Sequence, residues 1–211
     1  MDELPFRDAV TSPEALRALV GKPSELAVRK EISHLDAHCR AFIARSPFVL
    51  IATSGASGRA DVSPKGDPPG FVQVLDEHRL VIPDRPGNRR LDGMRNLLEN
   101  PHVGLLFLIP GLEETLRVNG RAWIVRDEEV LARCAVMGKR PTLALGVYAE
   151  ECFIHCAKAF KRAQLWQPDQ WPDRAGLASP SEMLVDHARP KDMTVPQMDR
   201  LLRESYSKNL Y

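Results

Sequence analysis

Between Pro47 and Cys156 the chain passes through one short β-rich run after another, separated by turns and interrupted by only two helical inserts. Residues 47–53 (PFVLIAT) are apolar and β-prone, residues 54–58 are turn material, and residues 59–63 resume an extended pattern, so the three read as a hairpin. Residues 71–75 and 80–82 are two further strands across a polar turn at Asp76, Glu77 and His78. Residues 102–109 form an apolar strand, and residues 115–125 a long one in which Gly120 marks a bulge or bend. Residues 143–156 are β-like again. Asn88 caps a helix over residues 89–99 that Asn100-Pro101 stops, and Asp127 caps a short one through Val136. Strands that do not alternate with long helices argue against a doubly wound parallel sheet. A sheet of six or seven strands closed into an antiparallel barrel is the natural way to manage the sheet edges.

The flanks read differently. Thr11-Ser12-Pro13-Glu14 is a helix start, with a small polar cap, an early proline and a carboxylate in the first turn. Gly21 and Pro23 end that segment, and a second helix is expected over residues 24–45, where Ile32, Leu35, Cys39, Phe42 and Ile43 recur at helical spacing. Residues 157–165 are helix-like. The stretch after Trp166 is polar and proline-rich, and Thr194-Val195-Pro196-Gln197 is a capping box that opens a terminal helix. The expected division is a helical extension over residues 1–45, a barrel over 46–166, and a second extension with a terminal helix over 167–211.

A chain of 211 residues suits one domain with terminal additions, or at most two small domains. Its net charge of +1 supplies no field that would recruit nucleic acid or an anionic membrane, so any positive site must be a local cluster. No apolar run approaches the roughly 18 residues a membrane helix needs. The acidic start lacks the order of a signal peptide, and the expected location is the cytoplasm. Four cysteines are too few for a disulfide scaffold, and most of them read as small buried apolar side chains.

Two segments carry chemistry. Asn88-Arg89-Arg90 follows a Pro-Gly loop at an expected helix start, where unpaired N–H groups and forked guanidiniums suit a phosphate. The same residues also fit a capped, solvated basic helix start. Asp61-Val62-Ser63-Pro64-Lys65 ends a strand in a rigid loop. Backbone groups there can bond a flat heterocycle, and Lys65 can stabilise charge on a reduced ring; the alternative is a sharp turn set by Pro64 and Gly66.

The order of these pieces resembles the pyridoxamine 5'-phosphate oxidase-like flavoproteins, the FMN-binding split-barrel group. The residues that carry the resemblance are DVSPKGDPPGF, then IPDRPGNRR before a helix, then ENP, a long apolar strand and TLRVNG. It covers about residues 45–166. It implies a mainly β fold with flanking helices, a six-stranded antiparallel split β-barrel that forms a homodimer with FMN at the subunit interface. It further implies that Asp61, Val62, Ser63 and Lys65 line the ring and that Ile82 and Pro83 touch the ring or ribityl chain. Asn88, Arg89 and Arg90 would hold the phosphate, Thr115 and Arg117 would reach the flavin from the other subunit, and Lys158, Arg162 and Trp166 would close the site.

Two departures stand out. The helix before Asn100 is about one turn longer than in pyridoxamine phosphate oxidase itself, which leaves the phosphate to Arg89, Arg90 or Arg95. The Arg-x-His by which such an oxidase binds its substrate phosphate is not evident after Trp166, so the substrate stays open. His155-Cys156-Ala157-Lys158-Ala159 and Leu165-Trp166 are closer to uncharacterised relatives. The implied activity is an FMN-dependent oxidoreductase acting on a small molecule, with no catalytic acid or base named. The alternatives are a split-barrel enzyme using a deazaflavin, a non-catalytic flavin or heme binder, and a barrel that has become a dimeric interaction module.

Other candidates are weaker. His34 and His38 sit four apart on an expected helix face, but no glutamate follows the first and no third ligand presents itself. Cys152, His155 and Cys156 lack a second pair to complete a tetrahedral metal site, so no metal is expected. Trp123, Trp166 and Trp171 offer stacking surfaces, though tryptophans more commonly pack or sit at interfaces.

Overall fold

The computed structural model describes residues 6–211. Contacts divide the chain into a unit ending at Glu31 and a second running from Ile32 to Tyr211. The first holds α1 (Pro13–Val20) and α2 (Glu25–Arg29), capped by the Ser12 and Ser24 side chains, and neither helix buries a residue.

The second unit contains α3 (Ala37–Ile43), β1 (Phe48–Ser54), β2 (Ala60–Gly66), β3 (Gln73–Val74), β4 (Arg79–Pro83) and α4 (Asp92–Glu99). These are followed by β5 (His102–Leu108), β6 (Thr115–Val125), α5 (Glu128–Arg133), β7 (Ala144–His155), α6 (Lys158–Ala163), α7 (Pro180–Ala188) and α8 (Val195–Lys208). The strands form one antiparallel sheet in the order β2-β1-β5-β6-β7-β4-β3. It has seven strands rather than six, because the two-residue β3 adds itself beside β4.

Burial alternates along β1 and β5, as pleated strands with one buried face require. Val49 and Ile51 of β1 share a core with Leu80 and Ile82 of β4, although three strands separate them in the sheet. The sheet must therefore curl on itself. Its edges β2 and β3 do not pair with each other, which leaves the barrel split. β6 bends at a register shift between Asn119 and Gly120, the bulge its glycine implies.

Three helices differ from expectation. The single helix expected over residues 24–45 is broken. Ile32 instead exchanges two backbone hydrogen bonds with Cys152 (3.0 and 2.7 Å), and Asp36 restarts the chain as α3 by accepting from the Cys39 N–H at 2.7 Å. His34 therefore lies outside α3 and shares no helix face with His38. The helix expected from Arg89 begins only at Asp92, because the Asn88 side chain accepts from the Arg90 N–H at 3.0 Å and closes a local turn. α7 is additional, opened by a Ser179–Glu182 capping box. α8 starts where expected, with Gln197 accepting from the Thr194 N–H at 2.7 Å.

Cys39, Cys134 and Cys152 are buried and Cys156 is exposed. The hydrogen bond to Cys39, with burial, pushes the Cys152 thiol far up, so it stays protonated in the core. Among the described residues no cluster of three or more His, Cys, Asp or Glu side chains is placed to hold a metal, and no helix is long and apolar enough to cross a membrane.

The Asp36 cap yields a stability prediction. Its carboxyl is held below the ordinary value of 3.8, chiefly by the Cys39 N–H. A group with a depressed folded pKa stabilises above its unfolded pKa and loses that contribution as pH falls through the folded value. Asp36→Ala should cost about 1 kcal/mol at neutral pH. In urea melts the gap to the parent should narrow as pH falls below the ordinary aspartate value.

Candidate functional site

A groove of about 630 Å³ opens beside the β1–β2 hairpin, a size typical of small-molecule sites. One wall is β2, which turns Asp61, Ser63 and Lys65 toward it by strict alternation. Val62 faces the other way and is 59% exposed. The floor includes Ile51, Thr53 and Leu145.

The opposite wall is the loop from Asp84 to Leu91 and the first turn of α4. No side chain caps α4, and Leu91 at its N-cap is left-handed (φ 60°). Asp92, Gly93 and Met94, whose N–H groups have no partner within the helix, line the groove. The positive end of the helix dipole therefore faces the groove. A Cβ on Gly93 would come 3.3 Å from a side-chain oxygen of Asp61, so the helix start lies close against β2. Arg89 is also left-handed (φ 59°). Two non-glycine residues in this region each cost about 1–2 kcal/mol, strain of the kind that collects where a ligand clamp is formed.

Six cationic side chains line the groove: Lys65, Arg85, Arg89, Arg90, Lys139 and Arg140. Lys65 pairs with Asp84 at 2.9 Å, Arg85 with Asp67 at 2.6 Å, and Arg90 with Asp92 at 2.7 Å. Arg89 and Arg140 have no hydrogen-bond or ion-pair partner among the described residues. The local charge is therefore positive although the chain is nearly neutral, and unpaired guanidiniums attract an anion most strongly where water is partly excluded.

The groove gathers Asp61, Ser63, Lys65, Asn88, Arg89 and Arg90 from the sequence-derived set. Arg95 does not line it, which leaves Arg89 and Arg90 as the phosphate candidates. Ile82 and Pro83 are fully buried at the end of β4 and do not line the groove. Thr115 is buried at the start of β6, opposite His155. Arg117 stands 5.6 Å from the Phe153 ring on the outer face. Lys158 and Arg162 are exposed on α6. The Trp166 indole donates to the Leu112 carbonyl at 2.9 Å. None of these last five lines the groove in a single chain.

Sequence reasoning missed Asp84, Arg85, Lys139, Arg140 and Tyr211. Pairing of Pro83 with Ala144, and the Asp84 N–H bond to the Leu143 carbonyl at 3.1 Å, bring residues 139–142 alongside the 84–91 loop. That neighbourhood is set by strand pairing, and no local motif signals it.

The pyridoxamine 5'-phosphate oxidase family model matches residues 35–156, more than half of the chain. The chain belongs to the pyridoxamine 5'-phosphate oxidase family. No curated protein matches it. Among solved structures it is similar to HupZ of Group A Streptococcus, at 15% identity, covering 57% of this chain and 99% of that one with a TM-score of 0.47. It is also similar to an FMN-binding protein of Syntrophomonas wolfei, at 11% identity, 68% and 96% coverage and a TM-score of 0.42. HutZ, a heme storage protein of Vibrio cholerae, matches at 17% identity, 57% and 93% coverage and a TM-score of 0.39. The matched segment of this pyridoxamine 5'-phosphate oxidase relative contains β1 to β7 and the Asp61–Arg90 side of the groove. Lys139 and Arg140 fall within the segment, and Tyr211 falls outside it.

Proposed function

We propose that the groove binds FMN, with the phosphate at Arg89, Arg90 and the first turn of α4 and the ring along Asp61, Ser63 and Lys65. One observation carries this reading: the uncapped positive end of α4 and the unpaired Arg89 converge on the groove that β2 lines. The donor set suits a phosphate monoester, which carries nearly two negative charges at neutral pH. When bound, the flavin supplies hydride or single-electron chemistry. Lys65, held near Asp84, places a cation where a reduced ring gains charge. Ser63, whose hydroxyl donates to Asp61 at 3.3 Å, fixes that carboxylate on the β2 wall. The activity that follows is an FMN-dependent oxidoreductase of a small-molecule substrate.

The same reading makes the protein a homodimer. Phe48 and Leu50 of β1 pair with Leu108 and Leu106 of β5 on the outer sheet face, where they are only partly covered, and Val62 extends that face. Partly exposed aliphatic rows on a sheet are suited to burial against a second copy. The partner's Thr115–Arg117 strand and α6 would then complete the site. Leu106→Glu should convert a dimer to a monomer in analytical ultracentrifugation and lower FMN retention with it.

The direct test is the visible spectrum and mass of whatever copurifies. A yellow protein carrying FMN supports the reading. A deazaflavin, a heme, or a colourless protein that takes up no added FMN overturns it.

A further inference from the structure

Tyr211 sits in the same groove, and its surroundings describe a socket. Its hydroxyl donates to Asp67 Oδ1 at 2.6 Å. The Arg85 guanidinium lies 5.7 Å from its ring centroid, and Lys139 Nζ donates to its main-chain oxygen at 3.2 Å. The socket is held from behind: the Asp67 carboxylate is 1% exposed and gripped by Arg85 at 2.6 Å. Arg140, next in the chain to Lys139 and also in the groove lining, has no hydrogen-bond or ion-pair partner among the described residues. The segment that delivers the ring is held differently. The Asn209 N–H closes α8 on the Ser205 carbonyl at 3.0 Å, and Asn209 and Leu210 are exposed, so Tyr211 reaches the socket on a short exposed link from the helix end.

A ligand that makes the same contacts as the Tyr211 side chain would compete with it for the socket. The parts define what fits: a buried carboxylate that accepts from a hydroxyl, a guanidinium over an aromatic face, and two further cations for an acceptor oxygen. We propose that the Arg85–Lys139–Arg140 end of the groove is the substrate subsite, that it takes a hydroxyaromatic small molecule bearing an oxyanion, and that Tyr211 is its internal occupant, displaced when that molecule enters. The assignment as substrate subsite rests on the groove being the cofactor site; the socket and its occupant do not.

The occupant lowers the apparent affinity of any competitor by the fraction of time it fills the socket. The probes are 4-hydroxybenzoate, 4-hydroxyphenyl phosphate and benzoate, titrated calorimetrically into the full chain with and without FMN. Tyr211→Ala should bind 4-hydroxybenzoate about tenfold more tightly than the parent, since a socket filled about nine-tenths of the time costs that factor. Benzoate should bind Tyr211→Ala about tenfold more weakly than 4-hydroxybenzoate, because it leaves Asp67 without its donor. Arg140→Ala should weaken both hydroxylated probes. Comparing carboxylate with phosphate identifies the preferred oxyanion.

Equal affinity of parent and Tyr211→Ala overturns the proposal. So does equal affinity for benzoate and 4-hydroxybenzoate, or no binding of either hydroxylated probe to Tyr211→Ala. Tighter probe binding to Tyr211→Ala in a chain that takes up no FMN keeps the socket and removes the cofactor reading. FMN uptake without probe binding does the reverse. A thermal melt of Tyr211→Ala checks that the chain stays folded.

Discussion

Changing Arg89 and Arg90 together to alanine should weaken FMN binding by about a hundredfold, with most of the loss coming from Arg89. A hydrogen bond to a charged group is worth about 1.5–3 kcal/mol, and each 1.4 kcal/mol is a factor of ten. Arg89 has no competing partner among the described residues, so its guanidinium is free to grip the phosphate. Arg90 is already bonded to Asp92 at 2.7 Å and is 73% exposed, so its contribution is screened and shared. The single variants should therefore separate: about ten- to hundredfold for Arg89→Ala, and only a few-fold for Arg90→Ala. Arg89→Lys should recover part of the loss, because it keeps the charge and gives up the planar fork. Arg95→Ala, outside the groove lining, should match the parent. Flavin fluorescence quenching at two salt concentrations measures all five, and the Arg89 effect should shrink as salt rises. Undiminished FMN affinity in the double variant would remove the phosphate from this loop.

Much of the barrel was legible because its signals are local. β1, β5 and β6 each carry an apolar run of strand length between turn residues, and Gly120 marked the point where β6 changes register. α8 was legible from Thr194 and Gln197. The Ser179–Glu182 box that opens α7 carried the same signal and went unread. The breaks had non-local causes. Residues 24–45 have helical periodicity, but Ile32 is taken by Cys152 from a strand far along the chain. Asn88 is a good cap by type, yet its side chain serves Arg90 and leaves α4 to start three residues later without a cap. That miss matters for the site, since it moves Arg89 and Arg90 off the helix and onto the loop facing β2. The groove itself was half legible: β2 and the Asn88–Arg90 loop announce their chemistry, whereas Lys139, Arg140 and Tyr211 reach it only through β4–β7 pairing and the path of the last helix.

The largest stability effect should come from Gly120→Ala. A Cβ built at Gly120 would lie 2.0 Å from the Tyr148 carbonyl oxygen, 3.0 Å from its carbon and 3.2 Å from the Glu150 nitrogen. All three are backbone atoms of β7, so no side chain can rotate to make room. Relief requires β6 and β7 to separate at the bulge, which breaks the ladder at the centre of the sheet, where Asn119 bonds Glu151 at 2.8 Å and the register shifts. Steric conflict with fixed backbone belongs to the most damaging class of substitution, about 3 kcal/mol or more. For a domain of this size that is a fall in melting temperature of about 6–12 °C. Gly66→Ala is the matched control: it also sits on a strand, but its Cβ would meet Phe48 at 3.4 Å and the Pro47 oxygen at 3.5 Å, and neither contact forces the sheet apart. It should cost less than about 1 kcal/mol. Because β6 carries Thr115 and Arg117 beyond the bulge, Gly120→Ala should also lower FMN retention in any fraction that folds, whereas Gly66→Ala should not. A Gly120→Ala protein that melts with the parent would show that β6 and β7 do not approach this closely, and with that the bend that orients the far half of β6 would be lost.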